Sequence, residues 1–189
     1  MKKKCVQVLP SQYKATREID LQKDRKTSLI VNICAVVVML LLGIIGLLIK
    51  KPSFDDGMIL RLIVLMFAYV AYIVAHEATH GLVMKVFGAK KLRFGFTGLY
   101  AYAGSKEDYF TRIPYMLIAL APVVIWGIIF GALCVILPAT WFWTVYLLQI
   151  GNIAGAAGDL YVTGIMCRMP ADCYVQDTGV SMTIYTSKE

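Results

Sequence analysis

From Leu29 to Ile49 the chain reads LIVNICAVVVMLLLGIIGLLI, 21 residues without a charge. As a helix this run rises about 31 Å, enough to cross a hydrocarbon core of about 30 Å. It is too long and begins too late for the apolar region of a secretory signal. It also ends in Lys50-Lys51-Pro52 rather than in small residues. A retained membrane helix is therefore expected. Three more apolar stretches follow: 58–88 with Arg61 near its start, 115–137 with Pro122 inside it, and 141–166. Pro138 separates the last two, and Trp141 and Trp143 suit an aromatic anchor at headgroup level. The predicted fold class is an all-α integral membrane protein with about four transmembrane helices.

The composition agrees, with 59% hydrophobic and only 16% charged residues. Soluble domains lie nearer half apolar and a quarter charged. The net charge of +7 would suggest nucleic acid in a soluble protein, but here the basic residues flank the apolar runs. Eight Lys/Arg lie in residues 1–28, six in 85–112 and two in 167–189, against Lys50, Lys51 and Arg61 on the other side. The positive-inside rule then puts both termini in the cytoplasm. The expected division is a basic cytoplasmic N-terminal tail (1–28), a membrane-embedded core (29–166) and a cytoplasmic C-terminal tail (167–189). The expected partners include the lipid bilayer and no nucleic acid. Five cysteines without a C-x-x-C pair imply neither a disulfide framework nor a thiolate zinc site.

Between the second and third spans, Leu92, Phe94 and Phe96 alternate with Arg93, Gly95 and Thr97. A period of two is a strand signal, and Gly95 and Gly98 permit a turn. Residues 92–102 are expected to form a small interfacial β-hairpin.

The chain has two histidines, and they stand four apart in His76-Glu77-Ala78-Thr79-His80. This H-E-x-x-H pattern arises by chance in about one of five thousand chains of this composition. On a helix, residues four apart share a face, so two imidazoles can bind one tetrahedral zinc ion from the same side. The glutamate beside the first histidine then stands next to a zinc-bound water, where it can act as general base. Ionisable groups within a membrane span are costly and usually functional.

A zinc site of this kind needs a third protein ligand. Of the twelve acidic residues, only Glu77 and Asp159 lie within the apolar stretches, which leaves Asp159 by elimination. His76 lies 18 residues past Met58, and Asp159 lies 19 past Thr140, near which the fourth span enters from the same side. Both positions are therefore about 27–29 Å along their helices. The stretch around Asp159 is rich in small residues, with G-x-x-x-G at Gly151 and Gly155, which favours close helix packing. Asn152, about 10 Å from Asp159 along the helix, is expected to pair with Tyr69 or Tyr72 rather than to share the metal.

At these residues the sequence resembles intramembrane zinc metalloproteases of the site-2 protease type. More closely, it resembles a bacterial membrane family called putative zincin peptidases. The shared features are H-E-x-x-H at 76–80, the segment after it, Ala121-Pro122 and a later Asp, over residues 58–166. The resemblance implies one Zn²⁺ per chain on His76, His80 and Asp159, with Glu77 as catalytic base, in a bacterial cytoplasmic membrane. It departs from the larger site-2 enzymes between Asn152 and Asp159, where no proline occurs. The function expected is hydrolysis of peptide bonds within or next to the bilayer, on a membrane-protein or membrane-proximal peptide substrate. The alternative is a membrane metal transporter or metal-binding scaffold without hydrolysis, which would have no need for Glu77.

Overall fold

A computed structural model describes residues 4–20, 22–52, 54–98 and 101–187. Residues 99 and 100, at the tip of the expected hairpin, and Lys2, Lys3 and Lys188 of the tails lie outside them.

Three helices match the first three apolar stretches. Helix α1 spans Arg25–Ile49 and starts before the apolar run, because the Asp24 carboxylate accepts from the Thr27 amide at 3.1 Å and caps it. Helix α2 spans Met58–Val86. In its first turn Arg61 pairs with Asp55 at 2.9 Å. The helix stops in a Schellman motif: Gly88, at φ 104°, donates to Lys85, and Ala89 donates to Met84. Helix α3 spans Arg112–Ile136, with Pro122 inside, and Pro138 follows its end. By length and composition, α1, α2 and α3 can each cross a membrane.

The fourth stretch departs from expectation. It is two helices, α4 (Phe142–Gly155) and α5 (Ala157–Met166), with a break at Ala156. Glycines 155 and 158 flank the break, and glycine is a poor helix former. At 14 and 10 residues, neither helix alone reaches about 30 Å. The break puts Asp159 in the first turn of α5. Gly151 does serve close packing, since a Cβ there would strike Tyr69 of α2. A Cβ on Gly155 would meet open space.

The all-α expectation is overturned by a six-stranded antiparallel sheet. Its strands are β1 (Cys5–Val6), β2 (Tyr13–Ile19), β3 (Arg93–Phe96), β4 (Ala101–Thr111), β5 (Tyr174–Asp177) and β6 (Met182–Ser187). The order is β1-β4-β5-β6-β2, and β3 pairs with the first part of β4. The expected hairpin is thus present as β3–β4, but it is one corner of a larger sheet. Both tails are woven into it, with Tyr13 opposite Ser187 and Phe110 opposite Val175. The physical reason is alternation within the tails. Val175, Met182 and Ile184 turn inward and are buried, and Ile19 joins them at the end of β2. They pack on Met84 of α2, Tyr115 and Ile118 of α3, and Ile165 and Met166 of α5. The sheet therefore covers the end of the helical bundle that carries His80 and Asp159.

One buried carboxylate ties the sheet to the loops. Asp108 accepts from Ser105 Oγ at 2.6 Å, Gln7 Nε2 at 3.0 Å and the Lys90 amide at 2.9 Å. Burial alone would raise its pKa, but these donors outweigh it and hold the carboxyl below the usual range.

Candidate metal centre

His76 and His80 lie one turn apart on α2, with ring centroids 4.9 Å from each other. Both turn Nε2 towards Asp159, His76 to Oδ2 at 3.4 Å and His80 to Oδ1 at 3.5 Å. Among the described residues this is the one group of three His, Cys, Asp or Glu side chains close enough to share an ion. Asp159 reaches them from the first turn of α5.

These distances can be set against zinc. Two ligands about 2.0–2.2 Å from one tetrahedral ion stand about 3.3–3.6 Å apart. A direct charge-assisted hydrogen bond between the same atoms would close to about 2.7–2.9 Å. The observed 3.4 and 3.5 Å, each to a different oxygen of the carboxylate, fall in the first range.

The other ring nitrogens are held as well. Asn152 Nδ2 donates to the Val123 carbonyl at 3.1 Å, which turns Asn152 Oδ1 to the Tyr72 hydroxyl. Tyr72 donates its one proton to that oxygen at 2.9 Å, so its own oxygen accepts from His76 Nδ1, also at 2.9 Å. His80 Nδ1 lies 2.9 Å from the Ile118 carbonyl, which can only accept. Each ring therefore carries a hydrogen on Nδ1 and turns Nε2 towards Asp159, where the neutral ring offers its lone pair. Outer hydrogen bonds of this kind orient metal-binding histidines. The pairing of Asn152 with Tyr72 is the one expected from the sequence.

Glu77 stands apart from the ligand trio. It lines a cavity of about 1020 Å³ with His76, His80 and Asp159, and the Ala103 amide of β4 is directed at its carboxylate. Thr79, also within H-E-x-x-H, accepts from Trp126 Nε1 at 3.1 Å and joins α2 to α3.

A family model described as "Putative zincin peptidase" matches residues 69–174, more than half of the 189 residues. The chain belongs to that family. For a zincin peptidase, a zinc-dependent metallopeptidase is implied, and the His, His and Asp donors here suit zinc. No curated protein matches the chain, and no solved structure does.

The sequence reading missed one residue beside the site. Asp177, assigned to a polar tail, is half-buried and lines the same cavity. It accepts from Tyr115 at 2.8 Å and from the Gly179 amide at 2.7 Å. Burial pushes its carboxyl pKa up despite those two donors. The signal available was Asp177-Thr178-Gly179 between two alternating apolar stretches, a hairpin-turn pattern.

Proposed function

We propose that this zincin peptidase is a membrane-embedded zinc endopeptidase of the site-2 protease type, with both termini cytoplasmic. It cuts peptide bonds of membrane proteins or membrane-proximal segments, within or next to the bilayer. His76, His80 and Asp159 hold one zinc ion per chain, and Glu77 is the base. The observation that carries this reading is the pair of His–Asp separations at 3.4 and 3.5 Å, with both Nδ1 positions already bonded elsewhere. Membrane placement rests on α1, α2 and α3, whose apolar side chains face outward, Leu48 at 82% and Ile59 at 68% exposure.

Zinc at such a site supplies Lewis acidity, which acidifies water and polarises a carbonyl. Glu77 takes the proton of the attacking water and returns it to the leaving amine. A helical peptide bond is shielded, so the substrate must be unwound before it reaches Glu77. Strand β3 has a ready place for it, because among the described residues it pairs only with β4. Phe94 of β3 packs on Gly81, next to His80. A substrate added as a further strand at 92–102 would lie beside the site. Prolines at 94–98 should then block cleavage, and undiminished cleavage would sink the strand-addition step.

Glu77 outside the ligand trio favours hydrolysis over ion transport. The test is purified Glu77→Gln protein. It should keep zinc by elemental analysis and lose cleavage of a co-expressed membrane substrate by about 10²- to 10⁴-fold. Wild-type protein without stoichiometric metal would defeat the proposal, and zinc flux into liposomes that persists in Glu77→Gln would favour the transporter.

A further inference from the structure

Helix α3 carries two prolines, and they differ in consequence. Pro114 sits in the first turn, where its missing N–H has no helical acceptor to serve. Pro122 lies in the interior, where the N–H of residue 122 would bond the carbonyl of Ile118. Proline has no such donor. Ile118 is 1% exposed and Pro122 is fully buried, so water does not take its place. A buried carbonyl requires a partner. The partner is His80 Nδ1, at 2.9 Å.

We propose that Pro122 is a positioning residue of the metal centre. By withholding one backbone N–H, it frees the Ile118 carbonyl to lock the His80 ring with Nε2 turned to Asp159. The inference rests on the zinc reading above. It gives a role to the Ala121-Pro122 pair, which the chemistry otherwise leaves unused. A helix-interior proline is tolerated in a membrane helix when a neighbouring helix satisfies the freed carbonyl. Here α2 does so with the imidazole that must be oriented. One turn of α3 then serves both histidines: the Ile118 carbonyl directly, and the Val123 carbonyl through Asn152 and Tyr72.

Pro122→Ala and Pro122→Gly both restore an N–H that competes for the Ile118 carbonyl, one with and one without an added methyl. Zinc affinity, read by chelator competition on the full chain in detergent, should fall 10- to 100-fold in both. The zinc-loaded protein, ¹⁵N-labelled at histidine, supplies a second readout. With two histidines in the chain it shows at most two Nδ1–H signals, and Tyr72→Phe identifies that of His76. In the Pro122 variants the His80 signal should shift and exchange faster while the His76 signal stays. An unchanged affinity and an unchanged His80 signal in both variants would overturn the inference alone. Equal disturbance of both signals would also overturn it, since that marks a general loosening of α3. Wild-type protein that holds no zinc would overturn the metal reading and this inference with it.

Discussion

In the sheet, Phe110, Val175 and Ile184 are fully buried, whereas in α1 only Val31 and Gly46 are buried along 25 residues. Apart from the Ser105–Asp108 network and the exposed Phe94 and Phe96, the sheet follows the rule of water-soluble proteins, with apolar side chains in and polar ones out. The helices carry apolar side chains outward and keep Asn152, Tyr72 and His80 inside. On the membrane placement proposed above, the difference separates two solvents: burial from water holds the sheet, and hydrogen bonds and close packing in apolar surroundings hold the bundle. The candidate metal centre lies where the two meet, with His76, His80 and Asp159 from the helices and part of its cavity wall from the sheet.

Several changes should strike one region and spare the other. Ile184→Ala removes a fully buried sheet residue and should cost about 2–5 kcal/mol. In hydrogen exchange, amides of β2, β5 and β6 should open faster while those of α2 near His76 keep their protection; equal acceleration in both would erase the distinction.

Asp108→Ala should cost about 1–3 kcal/mol, because it leaves Ser105, Gln7 and the Lys90 amide without their acceptor. The wild-type carboxyl adds a pH dependence. Its folded pKa lies below the unfolded value of about 3.9, so its stabilisation is complete above that value. It is lost as pH falls through the folded pKa. Acid unfolding followed from pH 6 to 2 should therefore be steeper in wild type than in Asp108→Ala, and parallel curves would speak against the assignment.

Tyr72→Phe keeps the ring but strips His76 Nδ1 of its acceptor. Zinc affinity should weaken about tenfold, roughly 1.4 kcal/mol, with the sheet's exchange pattern unchanged. The smallest effect concerns thiols. Burial pushes Cys5 up to about 12, with Asp108 adding to it, whereas Cys167 is exposed. A maleimide at neutral pH should label Cys167 and spare Cys5 until Asp108 is replaced.

Legibility in the sequence followed the same boundary. Three helices were readable because an uncharged run of membrane length has few alternatives. His76, Glu77 and His80 were readable because one helical turn fixes their spacing. Asp159 could be singled out because acids are rare in apolar stretches, and the structure brings it to the two histidines. The sheet was not readable, since its pairings are non-local, with Tyr13 meeting Ser187 across nearly the whole chain. Strand signals such as Met182-Thr183-Ile184-Tyr185 were present, but a strand without a partner reads as a polar tail. The break at Ala156 was hidden for another reason. Glycines 151, 155 and 158 read alike as packing positions, although a Cβ would strike a neighbouring helix at Gly151 and meet open space at Gly155.

The central claim is that Asp159 completes a three-ligand zinc site with His76 and His80. Its most direct test is zinc content, measured by elemental analysis on wild type, Asp159→Ala and Asp172→Ala purified in parallel. Asp172 bonds Ser187 in the sheet at 3.1 Å and serves as the control. The account predicts one zinc per chain in wild type and in Asp172→Ala, and loss of zinc in Asp159→Ala. Equal zinc content in all three proteins would contradict it.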